Sequence, residues 1–185
     1  MSAIPSTVTS VASLRRVPIF IAGIFLAVVA LFFSMGTAHA ATYGPWFISN
    51  LYNGRCLDVK DVSYSNGAPL QVYNCISQQY NQWFYTHTTA TPNLFTVTAA
   101  HSGKCLDIRD VSLLNGAQLQ QWDCNGWANQ SFWFNPLPQG YFKIQPNHVS
   151  NKCLSVQNNS TANGALVVQN TCPYNSDLWL VTGAW

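Results

Sequence analysis

From Ala41 onward the sequence predicts an all-β fold assembled from three copies of one short repeat, and two kinds of observation carry that prediction. The first is spacing. Cys56-Leu57-Asp58-Val59 recurs as Cys105-Leu106-Asp107-Ile108 and again as Cys153-Leu154-Ser155-Val156, at steps of 49 and 48 residues. Asn66-Gly67-Ala68, Asn115-Gly116-Ala117 and Asn163-Gly164-Ala165 recur at the same two steps, and in each copy a second cysteine (Cys75, Cys124, Cys172) follows the first by 19 residues. Three features held in one register define a repeat. The second is periodicity. Leu57 and Val59 alternate with Asp58 and Lys60, and Leu106 and Ile108 with Asp107 and Arg109, which is the two-residue period of a strand with its apolar pair on one face.

Within each copy the elements follow in order. The Cys-Leu-Asp-Val run is a strand. Asn-Gly favours positive φ at both central positions of a type I′ turn, so each copy is expected to carry a hairpin there. Pro69 to Cys75 is a second alternating run, with Gln71 and Tyr73 on the face opposite Leu70, and Gln120 and Trp122 are placed the same way opposite Leu119. No stretch after residue 41 has a convincing helical period. Short strands, frequent Gly, Asn and Pro turns and an aromatic content of 14% point to a barrel or sandwich.

The cysteines all lie in the repeats. Six cysteines allow 15 pairings, and a bridge inside each copy (56–75, 105–124, 153–172) is the simplest arrangement that lets all three copies fold alike. Each bridge closes a 19-residue step, contributing about 3 kcal/mol through the entropy of the unfolded chain. Metal ligation would call for tight C-x-x-C pairs, and the sequence has none.

Residues 1–40 differ in character. A Ser/Thr-rich start without acidic residues ends in Arg15-Arg16, Val17 to Phe33 is an uncharged, almost wholly apolar run of 17 residues, and Ala38-His39-Ala40 is a small-x-small site. That is the order of a cleavable signal peptide, with the mature chain beginning at Ala41 and carrying no membrane insertion thereafter. An uncleaved anchor is the alternative, since such a run can just span a bilayer. Two of the eight basic residues fall in this segment, leaving six Lys/Arg against six Asp. A neutral chain without a basic cluster excludes non-specific nucleic-acid binding.

The Cys-Leu-Asp-Val strand, the Asn-Gly turn, the aromatic two residues before the second cysteine and the Asn-Gln that follows resemble the ricin-B-type β-trefoil lectins, also grouped as carbohydrate-binding module family 13. The resemblance spans about residues 46–185. It implies a β-trefoil domain over 41–185 with repeats at about 46–92, 93–138 and 139–185, twelve strands in all, and one shallow sugar site per lobe. Carried over position by position, the sugar-site residues are Asp58, Tyr73, Asn81 and Gln82 in the first lobe and Asp107, Trp122, Asn129 and Gln130 in the second. The third has Ser155, Asn170 and Asn175-Ser176 there, so two working sites are expected. A core aromatic should follow the Gln at a fixed step; Trp83 directly after Gln82, Phe132-Trp133 after Gln130 and Trp179 give that step no common value.

These residue types suit a sugar. A carboxylate accepts hydrogen bonds from adjacent hydroxyls, an amide offers a donor and an acceptor, and an aromatic face covers a patch of C–H. Asp58 and Asp107 are accordingly expected to face solvent, and the implied partners are glycans with galactose-type or xylose-type sugars. Asp61 and Asp110 are read as structural, and Asp58 and Asp61, three apart on a strand, as pointing to opposite faces. His87, His101 and His148 share no repeat position and have no metal-ligand spacing. No catalytic motif, cofactor or metal is expected, and the implied product is a secreted, non-enzymatic lectin. The alternatives are a protease inhibitor with a loop stiffened by Pro69, Pro136, Pro138 or Pro173, and a sugar-targeting subunit for a separate toxin or hydrolase. Asn129-Gln130-Ser131 is also an N-glycosylation sequon, which would block the second site if occupied.

Overall fold

A computed structural model describes residues 40–183, so the expected signal peptide lies outside the described residues except for Ala40. Twelve strands follow one another: β1 (Thr42–Asn50), β2 (Cys56–Val59), β3 (Leu70–Tyr73), β4 (Phe84–Thr88), β5 (Leu94–Ala99), β6 (Cys105–Ile108), β7 (Ala117–Trp122), β8 (Ser131–Pro136), β9 (Tyr141–Pro146), β10 (Lys152–Val156), β11 (Ala165–Thr171) and β12 (Leu178–Gly183). Each repeat supplies four: β1–β4, β5–β8 and β9–β12 are lobes 1, 2 and 3.

The first and last strand of every lobe close a six-stranded antiparallel barrel, β1–β4–β5–β8–β9–β12 and back to β1. Closure leaves the barrel no unpaired edge. The middle strands form three hairpins, β2–β3, β6–β7 and β10–β11, which cap one end. The hairpins meet through β11–β3, β11–β7 and a bridge between Pro69 and Gln120. This is the β-trefoil.

Its core is built in threes. Ile48, Val97 and Ile144 point inward from the first strand of each lobe, Phe84, Phe132 and Trp179 from the last, and Leu57, Leu106 and Leu154 from the cap, all buried. The disulfides Cys56–Cys75, Cys105–Cys124 and Cys153–Cys172 each tie a cap strand to the segment that follows its partner strand.

The Asn-Gly pairs do not form type I′ hairpins. Residues 60–69 separate β2 from β3, and in each pair only the glycine has positive φ: 80° at Gly67, 82° at Gly116 and 83° at Gly164. The asparagine has a different task. Asn66 Oδ1 accepts the backbone N–H of Asp123 at 3.0 Å, Asn115 Oδ1 that of Thr171 at 2.9 Å and Asn163 Oδ1 that of Asn74 at 2.9 Å. The adjoining glycine N–H groups donate to the carbonyls of Gln121, Gln169 and Val72. Lobe 1 thus clasps lobe 2, lobe 2 clasps lobe 3, and lobe 3 clasps lobe 1. A cation on the receiving lobe adds to each clasp: Lys104 binds Asp123, Lys152 binds Asn115, and Arg55 binds Asn74.

Asn115→Ala strands the N–H of Thr171 and removes a partner of Lys152, so it should lower stability by roughly 1–2 kcal/mol. Urea denaturation checks this as a lower midpoint at unchanged slope.

Candidate functional site

Strand alternation does turn Asp58 and Asp107 away from Leu57 and Leu106, but the cap is covered on both faces. The two aspartates are 2% and 4% exposed, which corrects the expectation that they face solvent. A buried charge persists only when hydrogen-bonded, and each aspartate is a hub for three carboxamides. Asp58 Oδ1 accepts from Gln71 Nε2 at 2.8 Å, and its Oδ2 accepts from Asn81 Nδ2 at 2.8 Å and Gln82 Nε2 at 3.1 Å. Asp107 repeats the pattern with Gln120 at 2.9 Å, Asn129 at 2.8 Å and Gln130 at 3.0 Å. The Gln71 and Gln120 expected beside the aromatics on an open face are therefore buried as well. Desolvation pushes the Asp58 carboxyl above its ordinary 3.8, against the three amide hydrogen bonds and the charge of His101, which pull it down.

Each hub floors a cleft. In lobe 1 the cleft has a volume of about 200 Å³ and is lined by Asp58, Asp61, Val62, Gln71, Tyr73, Gln79 and Asn81. In lobe 2 it has about 280 Å³ and is lined by Asp107, Asp110, Val111, Gln120, Trp122, Asn125, Trp127 and Asn129. Tyr73 and Trp122 stand exposed at the wall, as their strand parity predicts.

The Asn-Gln pairs divide their work. Gln82 and Gln130 are fully buried and do not line the clefts; each braces its aspartate and accepts the N–H of Ile76 or Asn125. Asn81 and Asn129 do line them. Both N–H groups of each are taken, by the aspartate and by the carbonyl of Val59 or Ile108. Their Oδ1 atoms have no partner among the described residues. These oxygens are shielded from solvent, and with both N–H groups taken the amide offers the cleft no free donor. Because Asn129 Nδ2 is buried and bonded, the Asn129 sequon is closed to glycosylation once the chain is folded.

The structure restores the register after the second cysteine. Phe84, Phe132 and Trp179 are equivalent core aromatics, each two residues after Gln82, Gln130 and Asp177. Asp177 Oδ2 accepts the N–H of Tyr174, and Ser176 Oγ bonds both backbone groups of Val156. The third-lobe counterparts of Asn-Gln are therefore Ser176-Asp177, not Asn175-Ser176. No insertion divides the Gln and the aromatic; the loop before them shortens by one residue per lobe instead, running 6, 5 and 4 residues from cysteine to Asn81, Asn129 and Ser176. One-residue differences also hid the histidines. His101 Nε2 contacts the carbonyl of Ser63 and His148 Nε2 that of Ser112, both at 2.9 Å, and Asn53 Nδ2 contacts that of Ser160 at 3.1 Å. His101 and His148 thus share a repeat position, as pins for a turn.

The sequence reading gives Asp61 and Asp110 a structural role only and does not reach Val62 and Val111. Asp61 does not oppose Asp58 on a strand: β2 ends at Val59, and both aspartates line one cleft. These residues lie in a left-handed turn, with φ of 57° and 50° at Asp61 and Val62 and 58° and 50° at Asp110 and Val111. A β-branched residue there costs about 1–3 kcal/mol, and such strain gathers at ligand clamps. Lobe 3 makes the same turn with Asn158 and Asn159, which tolerate it. The signal was present: Asp-Val-Ser repeats at the 49-residue step.

In lobe 3 the site is dismantled. Ser155 replaces the aspartate, Val168 stands where Gln71 and Gln120 do, and Asn170 turns inward to bond Ser155 Oγ at 3.0 Å.

The fold and these paired clefts define a protein of the β-trefoil lectin class. Residues 80–170 match the ricin-type β-trefoil lectin domain-like family. Among solved structures, the designed threefold-symmetric protein ThreeFoil is 31% identical, with a TM-score of 0.72 over 77% of this chain and 100% of its own. The exo-β-1,3-galactanase 1,3Gal43A from Clostridium thermocellum is 26% identical, with a TM-score of 0.72 over 76% of this chain but only 30% of its own. The Macrolepiota procera ricin B-like lectin, solved with lactose, shares the fold at 18% identity, with a TM-score of 0.60 over 76% of this chain and 96% of its own. No curated protein sequence matches. The chain belongs to the ricin-B-type β-trefoil lectin family.

Removing a hub should be costly, contrary to the tolerance a solvent-facing aspartate would have. Asp58→Ala strands three buried donors and is expected to lose about 3 kcal/mol, whereas Ser155→Ala strands one and loses about 1 kcal/mol. Val62→Asn should gain about 1 kcal/mol by relieving the turn. Chemical denaturation of the three variants measures all of this.

Proposed function

We propose that the protein is a secreted lectin that binds neutral glycans at two shallow sites, in lobes 1 and 2, and not in lobe 3. The observation that carries this is the duplicated hub: a buried carboxylate held by three amides beneath an exposed aromatic, present twice and dismantled once. A carboxylate has about four acceptor positions. Three are filled from within, so each aspartate keeps about one for a ligand. That acceptor fits a hydroxyl donor of a sugar. Tyr73 or Trp122 then lies against the C–H face, and Gln82 and Gln130 act as positioning residues beneath.

The reading is of binding rather than hydrolysis. A general acid must hold a proton and pass it to the substrate. Although burial raises the Asp58 carboxyl, both its oxygens already accept N–H donors, so a proton there would have to displace one of them. The ricin B-like lectin of Macrolepiota procera was solved with lactose, and a lectin of Polyporus squamosus with a sialylated galactose epitope, which makes galactose-containing glycans the first to test. Three disulfides accord with export, and intact mass of protein from culture medium should show a chain beginning at Ala41.

Calorimetric titration of the oxidised protein with lactose should give two sites of roughly millimolar affinity, about 4 kcal/mol each. Tyr73→Ala and Trp122→Ala should each leave one site, and the double variant none, with stability kept because both rings are exposed. Full stoichiometry in the double variant would overturn the assignment. In Trp122→Ala only lobe 1 binds. Protonating Asp58 removes its acceptor, so binding should fall as pH drops through a midpoint above 3.8.

A further inference from the structure

A third cleft, away from the lobe sites, lies on the outside of the barrel between β8, β9 and the loop leading to β10. It has a volume of about 330 Å³, and Trp133, Asn135, Gln145, Asn147, Ser150 and Asn151 are among its lining residues. We infer that this cleft is an additional binding site for neutral glycan chains, an inference that rests on the reading of the protein as a lectin.

Three observations support it. The first is chemistry. The lining combines one half-buried indole with four carboxamides and a hydroxyl, and no charged side chain lines it. This is a surface for an uncharged ligand rich in hydroxyls, with a C–H face for the indole. The second is the state of the amides. Trp133 Nε1 donates to Asn147 Oδ1 at 3.0 Å, and Asn135 Nδ2 donates to Gln145 Oε1 at 2.7 Å. Those bonds hold the indole and the two asparagines in place. Among the described residues, Asn147 Nδ2 and Asn135 Oδ1 then have no hydrogen-bond partner, which leaves one donor and one acceptor on the rim of a single cleft. Neighbouring hydroxyls on a sugar ring can satisfy such a pair together.

The third is the fold's own symmetry. Trp133 faces Gln145 across β8 and β9. The same rung in the other two thirds of the barrel pairs Tyr85 with Thr98 and Leu180 with Ser49. Asn135 and Gln145 have a counterpart in His87 and Thr98, joined at 2.9 Å. The trefoil therefore closes without an indole or carboxamides at these positions. Their gathering on one side of three is not required by the packing. A further site at a distance from lobes 1 and 2 would let one molecule grip a polysaccharide at several points, which multiplies weak affinities.

The Trp133 indole N–H is a reporter inside the cleft. In ¹⁵N-labelled oxidised protein its signal is assigned by its loss in Trp133→Phe. Lactose, xylotriose and cellotriose are titrated into the unaltered protein and into Tyr73→Ala/Trp122→Ala, where the lobe sites are disabled. The Trp133 signal should move saturably with at least one of these sugars in both proteins, half-saturating at roughly millimolar concentration. Asn147→Ala should weaken that response about tenfold, the loss of one hydrogen bond. If Trp122 titrates in the unaltered protein while Trp133 stays fixed with all three sugars, the third cleft is no site and the lobe reading stands. If neither signal moves, both readings fall. A Trp133 shift left unchanged by Asn147→Ala and Asn135→Ala would also overturn the inference, because the paired donor and acceptor would then play no part.

Discussion

The structure depends on a constraint that no single repeat can meet: each lobe leaves a backbone N–H for its neighbour to satisfy. The groups are those of Asn74, Asp123 and Thr171, and their acceptors are Asn163, Asn66 and Asn115 from the adjacent lobes. Because lobe 3 reaches back to lobe 1, the three clasps form a ring. The barrel closes by the same logic, since β1 must pair with β12 before its edge is covered. One repeat alone would leave both its clasp N–H and its asparagine unpaired, which explains why the asparagine of Asn-Gly recurs as faithfully as the cysteines.

The clasp also places the clefts. Tyr73, Trp122 and Asn170 sit directly before the three clasped N–H groups, so the ring of clasps sets the cap strands that carry them. Across each hairpin the aromatic lies opposite the first cysteine, in the register Cys56 with Tyr73 and Cys105 with Trp122. The aspartate is two residues further along, opposite Gln71 or Gln120. Disulfide cysteine and aromatic wall thus share one rung of the hairpin, and the carboxylate floor lies two rungs along it. The hub amides bring in the segment after the second cysteine, so three stretches of a lobe meet at one carboxylate.

How far all this was legible in the sequence follows from the kind of signal each feature leaves. Repeat number, cysteine pairing and the exposure of Tyr73 and Trp122 are matters of spacing and parity, and both survive intact in a linear string. Burial of Asp58 does not, because alternation tells which face a residue is on and not whether that face is covered; here both faces are. The turn chemistry misled for a related reason. Asn-Gly is a hairpin signal when its bonds are local, but Asn66 spends its side chain on a residue 57 positions away. One-residue changes in loop length break the repeat register: they shift Ser176-Asp177 off its counterparts and separate His101 from His148. Only the bonds those residues make restore the match.

Lobe 3 supplies the control for what lobes 1 and 2 retain. It completes the same fold with Ser155 in place of a buried charge, with asparagines in the left-handed turn in place of Asp-Val, and with Asn170 folded inward in place of an exposed ring. It even uses its aspartate differently, pairing Asp177 with Lys143 at 3.8 Å. Every one of these choices is less costly than its counterpart: a buried carboxylate must be desolvated, a valine at φ of 50° is strained, and an exposed indole or phenol gains nothing from folding. The trefoil thus closes without the costly set. That Asp58, Val62 and Tyr73 are kept together, and Asp107, Val111 and Trp122 likewise, is unexplained by folding, and the ligand proposed for these two clefts would account for all six.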